Sequence, residues 1–142
     1  MDFDAAPEGR AGRINRGFLA TQRIGFTLNI CCGTDRTGDV LVDVLPSLRP
    51  HIVGDLHHPP FRDGSFDTVI CDPPFSYFNR WRWLPALASL AKRRVIISTP
   101  ALMTHLPRGW HRKIYCIDTG HMFMRIWQVW TRDSLYRCRG GP

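Results

Sequence analysis

The chain has 142 residues, 44% of them hydrophobic, and a formal net charge of +7 from 19 Lys and Arg against 12 Asp and Glu. That length fits one domain, residues 1–142, and the apolar content argues against a disordered chain. No apolar run reaches the ~18 residues a membrane span needs, and the opening MDFDAAPEGR has neither a basic nor an apolar signal region, so a soluble, cytoplasmic protein is expected.

A basic domain attracts polyanions, nucleic acid first, although basicity for solubility alone gives the same count. The five cysteines are Cys31, Cys32, Cys71, Cys116 and Cys138. Their odd number, and the apolar runs that hold three of them, suit buried free thiols better than a disulfide framework. No CxxC pair is present and His57 and His58 are adjacent. Neighbours on a strand face opposite ways, so no metal site is predicted.

Residues 1–12 are expected to be flexible. Residues 13–26, RINRGFLATQRIGF, read as a short helix or an irregular arm. TLNICC (27–32), VLVDVL (40–45), HIVGD (51–55) and FDTVICD (66–72) read as strands from their Val, Ile and Leu content and their Gly, Pro and Asp flanks. RWRWLPALASLAK (80–92) is the best helix candidate, with Pro85 in its first turn. RVIIST (94–99) is a fifth strand. KIYCIDT (113–119) and MRIWQVWTR (124–132) read as a closing antiparallel pair. The tail from 138 to 142 is expected to be flexible.

Continuous apolar strands are buried on both faces, as in parallel α/β sheets, whose ligands bind outside the carboxyl ends of the strands. That rim would collect Gly33, Thr34, Asp43, Asp55, Asp72 and Ser98. The first crossover, residues 33–39, is too short for a helix: extended, its seven residues span about 23 Å against about 17 Å for a five-residue strand. The predicted fold is therefore a minimal Rossmann-like α/β sheet, mostly parallel, with a C-terminal antiparallel pair and few helices on one face. The bare face would be covered by the N-terminal arm or by a second copy of the chain, and a homodimer is expected.

The ordered series resembles class I S-adenosylmethionine-dependent methyltransferases. TLNICCGT is similar to their first motif, VLVDV to the second strand with its terminal acid, and VGDLHHPPFRDGSFDTVICDPPF to the run that follows. DPPF resembles the tetrapeptide of amino-methyltransferases acting on exocyclic amines of DNA or RNA bases. The resemblance covers about 27–100 and, more loosely, up to 132. It implies S-adenosylmethionine as cofactor. Cys31, Cys32, Gly33 and Thr34 would line its methionine part, Asp43 would accept from the ribose, Asp55 with the Leu56 backbone would meet the adenine, and Asn29 and Asp72 are further cofactor-binding candidates. Asp72, Pro73, Pro74 and Phe75 would hold the target amine.

Several positions depart from that pattern. Asn29 stands where the first motif usually has an acid, and Cys31 and Asp35 stand at usual glycine positions. DRTGD replaces the helix that follows, with Arg36 and Thr37 as candidate substitutes in holding the cofactor's amino-acid end.

An exocyclic aromatic amine is a poor nucleophile because its lone pair is delocalised into the ring. The Asp72 carboxylate and the Pro73 carbonyl could each accept one N–H and turn that lone pair toward the methyl group, while Phe75 stacks on the base, a contact worth ~1–3 kcal/mol. A base in a duplex would first have to be flipped out. The simpler reading of Asp72 is an Asx-Pro turn, and those of Asp43 and Asp55 a solvated strand end and a local turn acceptor. Asp67 is expected to bond backbone. SYFNRWRW brings Tyr77, Arg80 and Arg82 into a basic-aromatic stretch suited to bases and phosphates, with Trp81 and Trp83 alternatively facing the core. PRGWHRK (107–113), with Arg108, is expected on the same rim. A methyltransferase of a small molecule or protein side chain, and a non-catalytic binding module on the same scaffold, are the competing functions.

Overall fold

A computed structural model describes residues 10–74, 83–98, 106–118 and 124–134. Its elements are α1 (Arg10–Gln22), β1 (Thr27–Ile30), β2 (Val40–Asp43), β3 (Ile52–Val53), β4 (Phe66–Cys71), α2 (Trp83–Leu90), β5 (Ala91–Ser98), β6 (Trp110–Ile117) and β7 (Arg125–Arg132). The strands form one seven-stranded sheet in the order β3-β2-β1-β4-β5-β7-β6. The first five strands are parallel, and β7 runs antiparallel to both β5 and β6. This is the Rossmann-like sheet with an antiparallel C-terminal pair and few helices that the sequence predicts.

Local chemistry trims the predicted strands. β1 stops at Ile30 because Cys31 turns to φ +59°, a left-handed conformation that a side chain disfavours. β2 stops at Asp43, whose carboxylate accepts the Leu45 N–H at 3.0 Å and bends the chain. Pro85 is the third residue of α2, where an N–H would have no intrahelical partner. Strand β5 begins directly at Ala91 and β6 at Trp110, both three residues before their predicted starts.

Side chains alternate between two faces. Leu28, Ile30, Val42, Val69, Val95 and Ile97 pack with Trp83, Leu84 and Leu87 of α2. Fully burying a leucine of that kind contributes about 1.5–3 kcal/mol. Trp83 is thereby a core residue, as one of its two readings had it. On the opposite face Leu19 of α1 packs with Ile70, Ile96, Trp127 and Val129. Phe18 contacts the Tyr115 and Trp127 rings, and Trp127 Nε1 donates to Asn15 Oδ1 at 3.1 Å. The N-terminal arm is thus a helix, and it covers this half of the sheet.

Over β1 and β2 the same face carries a polar loop in place of a helix. Asn29, 1% exposed, donates to Asp35 Oδ2 at 3.1 Å and to the Thr37 carbonyl at 3.0 Å. Asp35 Oδ1 accepts from the Thr37 N–H and hydroxyl. Asp39 accepts from the Thr27 N–H at 2.8 Å and from Arg23 at 2.9 Å. An irregular buried loop needs every backbone group paired, and the buried polar positions Thr27, Asn29 and Thr37 supply that pairing.

Candidate functional site at the sheet's carboxyl rim

The strand order reverses between β1 and β4, so a crevice opens outside their carboxyl ends, the place where open α/β sheets bind ligands. One wall is the turn after β1. Cys31 and Gly33 both take positive φ, +59° and +55°. A Cβ at Gly33 would meet nothing within 4 Å, so the turn faces open space. Thr34 beside it is exposed.

Asp43, at the tip of β2, is 8% exposed. Its Oδ2 accepts the Gly33 N–H at 2.9 Å and its Oδ1 the Leu45 N–H. Instead of being a solvated strand end, this carboxylate braces the turn. Asp55 follows β3 and accepts both the N–H (3.0 Å) and Nδ1 (2.9 Å) of His57. These bonds, the backbone one first, hold its carboxyl below the usual 3.8. Its side chain remains 47% exposed, an open carboxylate on this part of the rim. Leu56 is buried, so only its backbone is available to a ligand.

The other wall is Asp72, immediately after β4. Desolvation raises its carboxyl above 3.8, against the pull of the Arg125 guanidinium. Arg125 Nη1 donates to Asp72 Oδ1 at 3.1 Å and to Ser98 Oγ at 3.3 Å, and the Ser98 hydroxyl also bonds the carboxylate. The Asp35 carboxylate, on the loop after β1, adds a small repulsion that also raises Asp72. Pro73 is buried and Pro74 exposed. Phe75, Tyr77, Arg80 and Arg82 lie outside the described residues.

Two expectations change, and one residue enters that the sequence did not point to. Arg108 and the 107–113 stretch are not on this rim. β6 runs parallel to β5, so Trp110 pairs with Arg132 near the amino end of the sheet, while Ile117 pairs with Arg125 at the rim. Seven strand steps separate those ends, about 23 Å. The aromatic there is also engaged, since the Arg132 guanidinium stacks 4.1 Å from the Trp110 ring. Arg36 and Thr37 are turned to other partners: Arg36 Nη1 and Nη2 each donate to a carbonyl of the turn after β2, those of Arg49 and Leu48, and the Thr37 hydroxyl donates to Asp35. Arg125 was missed by sequence reasoning. Its only signal is a place just before the apolar run of the last strand, and it reaches Asp72 only because β7 turns back antiparallel beside β5.

Cys32 and Cys71 are buried thiols, as the sequence suggests, whereas Cys116 is exposed. Burial, then Asp43, pushes Cys32 up to about 11, so it stays protonated at neutral pH and is no nucleophile. Burial raises Cys71 as well. The described cysteines, Cys31, Cys32, Cys71 and Cys116, are all free. Asp67 accepts the Phe26 N–H at 2.9 Å, a backbone role as expected. Among the described residues no group of three or more His, Cys, Asp or Glu could hold a metal ion, and no helix is long and apolar enough to cross a membrane.

No family model and no curated protein matches the sequence. Solved structures do match the fold. A SAM-dependent methyltransferase from Thermotoga maritima, described as a possible histamine N-methyltransferase, superposes with a TM-score of 0.55 at 12% identity, over 86% of this chain and 91% of that one. A SAM-dependent methyltransferase from Aquifex aeolicus superposes with a TM-score of 0.51 at 11% identity, over 76% of this chain and 82% of that one. The chain therefore has the Rossmann-like fold of SAM-dependent methyltransferases, with its crevice at the β1/β4 reversal.

Proposed function

We propose that the chain is an S-adenosylmethionine-dependent methyltransferase that transfers a methyl group to an exocyclic amine of a nucleic-acid base. The observation that carries this reading is Asp72. It is a partly desolvated carboxylate at the tip of β4, held by Arg125 and Ser98, on the strand beside the one that runs into the Gly33 turn.

The rim fits the cofactor. The space over Gly33 would take its methionine part, beside Thr34. Asp55 offers an open carboxylate, and the Leu56 backbone a partner for adenine. Asn29 and Asp43 act one step back, by fixing the loop and turn that line the site. When bound, the cofactor supplies an electrophilic methyl on a sulfonium.

On the acceptor side, Asp72 would take one amine N–H and the Pro73 carbonyl the other, which directs the nitrogen lone pair into the crevice. Proline suits both following positions because it adds no competing donor. Arg125 is a positioning residue: it keeps one carboxylate oxygen fixed and the group ionised. Holding the reactants in line supplies several kcal/mol of barrier reduction. The net charge of +7 favours a polyanionic substrate.

Incubation with methyl-labelled cofactor and separate pools of DNA and RNA tests the reading. Label in one pool, lost with Asp72→Ala, is expected. No label in either pool, from protein that binds the cofactor, would refute the nucleic-acid assignment. Transfer to a small amine or protein side chain that bulk polyanion does not inhibit would replace it.

A further inference from the structure

A concavity of about 630 Å³ lies away from the crevice, lined by Arg36, Leu41, Ser47, Leu48, Arg49 and His51. By alternation Leu41 faces the α1 side of the sheet, so this hollow sits on the helix-poor face over β2, between the 31–39 loop and the turn Pro46–Leu48. Its volume falls in the range of sites for small organic ligands, roughly 300–1,000 Å³.

The wall is rich in donors and holds no acid. Arg36 donates to the Arg49 carbonyl at 3.1 Å and to the Leu48 carbonyl, which fixes the guanidinium without neutralising it. The nearby carboxylates are committed elsewhere: Asp35 to Asn29 and Thr37, Asp39 to Arg23 and Thr27, and Asp43 to Gly33 and Leu45. Arg49 is exposed, and among the described residues no carboxylate pairs with its guanidinium. Its backbone is held at φ +52°, a conformation that costs a non-glycine residue roughly 1–2 kcal/mol. That strain persists because Arg36 ties down the Leu48 carbonyl and the carbonyl of Arg49 itself. The Leu41 N–H donates to His51 Nδ1 at 3.0 Å. In the neutral ring the proton is therefore on Nε2, which is a donor. The Ser47 hydroxyl completes the set.

Two guanidiniums, an imidazole N–H and a hydroxyl around one hollow match the oxygens of a phosphate, and the remaining volume matches the rest of a nucleotide. We propose that this concavity binds the phosphate of a nucleotide unit, separately from the rim crevice. The assignment does not rest on the methyl-transfer reading. β2 lies two strands from β4, about 10 Å across the sheet, so a strand with one base at Asp72 could leave a neighbouring phosphate here. A free nucleotide offers the same chemistry.

The test uses the full chain and two probes. A labelled single-stranded ten-nucleotide oligomer is followed by fluorescence anisotropy, and adenosine 5′-monophosphate by calorimetry with adenosine as its uncharged control. Arg49→Gln removes an exposed guanidinium, and Lys92→Gln removes an equal charge from exposed Lys92 outside the hollow. Arg49→Gln is expected to weaken the oligomer about tenfold, the loss of one charge-assisted contact, with Lys92→Gln within about twofold of wild type and S-adenosylmethionine binding unchanged in both. Tight oligomer binding with weak nucleotide binding identifies a polynucleotide backbone. Nucleotide binding that Arg49→Gln abolishes, with no gain from the oligomer, identifies a free nucleotide. Equal weakening by the two variants, displacement of the probe by S-adenosylmethionine, or no binding of either probe at millimolar concentration would overturn the proposal.

Discussion

Asn29 gives the sharpest test of how the helix-free loop is held. Asparagine here donates 3.1 Å to Asp35 Oδ2 and 3.0 Å to the Thr37 carbonyl at 1% exposure. Asn29→Ala removes both bonds and strands two acceptors. At about 1–3 kcal/mol for each group left unsatisfied, less whatever water recovers, the loss is about 2–4 kcal/mol. Asn29→Asp is expected to be worse, because it sets a buried carboxylate against the Asp35 carboxylate and a carbonyl oxygen. The double variant Asn29→Asp/Asp35→Asn reverses donor and acceptor and should recover about 1–3 kcal/mol as a coupling term. Urea unfolding followed by tryptophan fluorescence measures wild type, these three variants and the single Asp35→Asn that completes the cycle, with constant m reporting a common unfolded state. The reasoning fails if Asn29→Asp is as stable as wild type, or if the double variant equals the sum of the singles.

Other outcomes follow from the same geometry. Gly25→Ala should cost about 2–3 kcal/mol, since its φ is +60° and its Cβ would fall 2.4 Å from Asp67 Oδ2, the acceptor of the Phe26 N–H; thermal unfolding reads it. Asp72 has a folded-state carboxyl above its ordinary 3.8 because of desolvation. A raised folded value contributes stability fully below the unfolded value and loses it as pH rises through the folded one. Asp72→Asn should therefore raise the melting temperature at about pH 8 and change it little at about pH 3.5, while abolishing methyl transfer. Arg125→Gln removes the charge that lowers Asp72, so the acid limb of the rate profile should move to higher pH. An unmoved limb would mean that Arg125 does not act through Asp72.

The parallel core was legible because β2, β4 and β5 (VLVD, FDTVIC and AKRRVIIS) each carry Val, Ile or Leu on both faces, the mark of strands buried on both sides. The missing helix after β1 was legible from chain length alone. Asn29 read as a departure from a familiar motif, yet its amide is what the loop needs, and only the position of Asp35 in space makes that visible. Arg125 and Arg108 were misjudged for one reason: sequence does not tell which end of the sheet a C-terminal strand starts from. The register puts Arg125 beside Asp72 and Trp110 at the far end. Asp43 likewise reads as a free rim carboxylate until the Gly33 N–H is seen to occupy it.

The central claim is that the rim crevice holds S-adenosylmethionine, and a calorimetric titration of the cofactor into the folded protein tests it most directly. Saturable micromolar binding at one site per chain is predicted, weakened about tenfold by Asp55→Ala through loss of one charge-assisted acceptor and untouched by Arg49→Gln. No saturable heat with the cofactor at millimolar concentration, from protein shown to be folded, would contradict it.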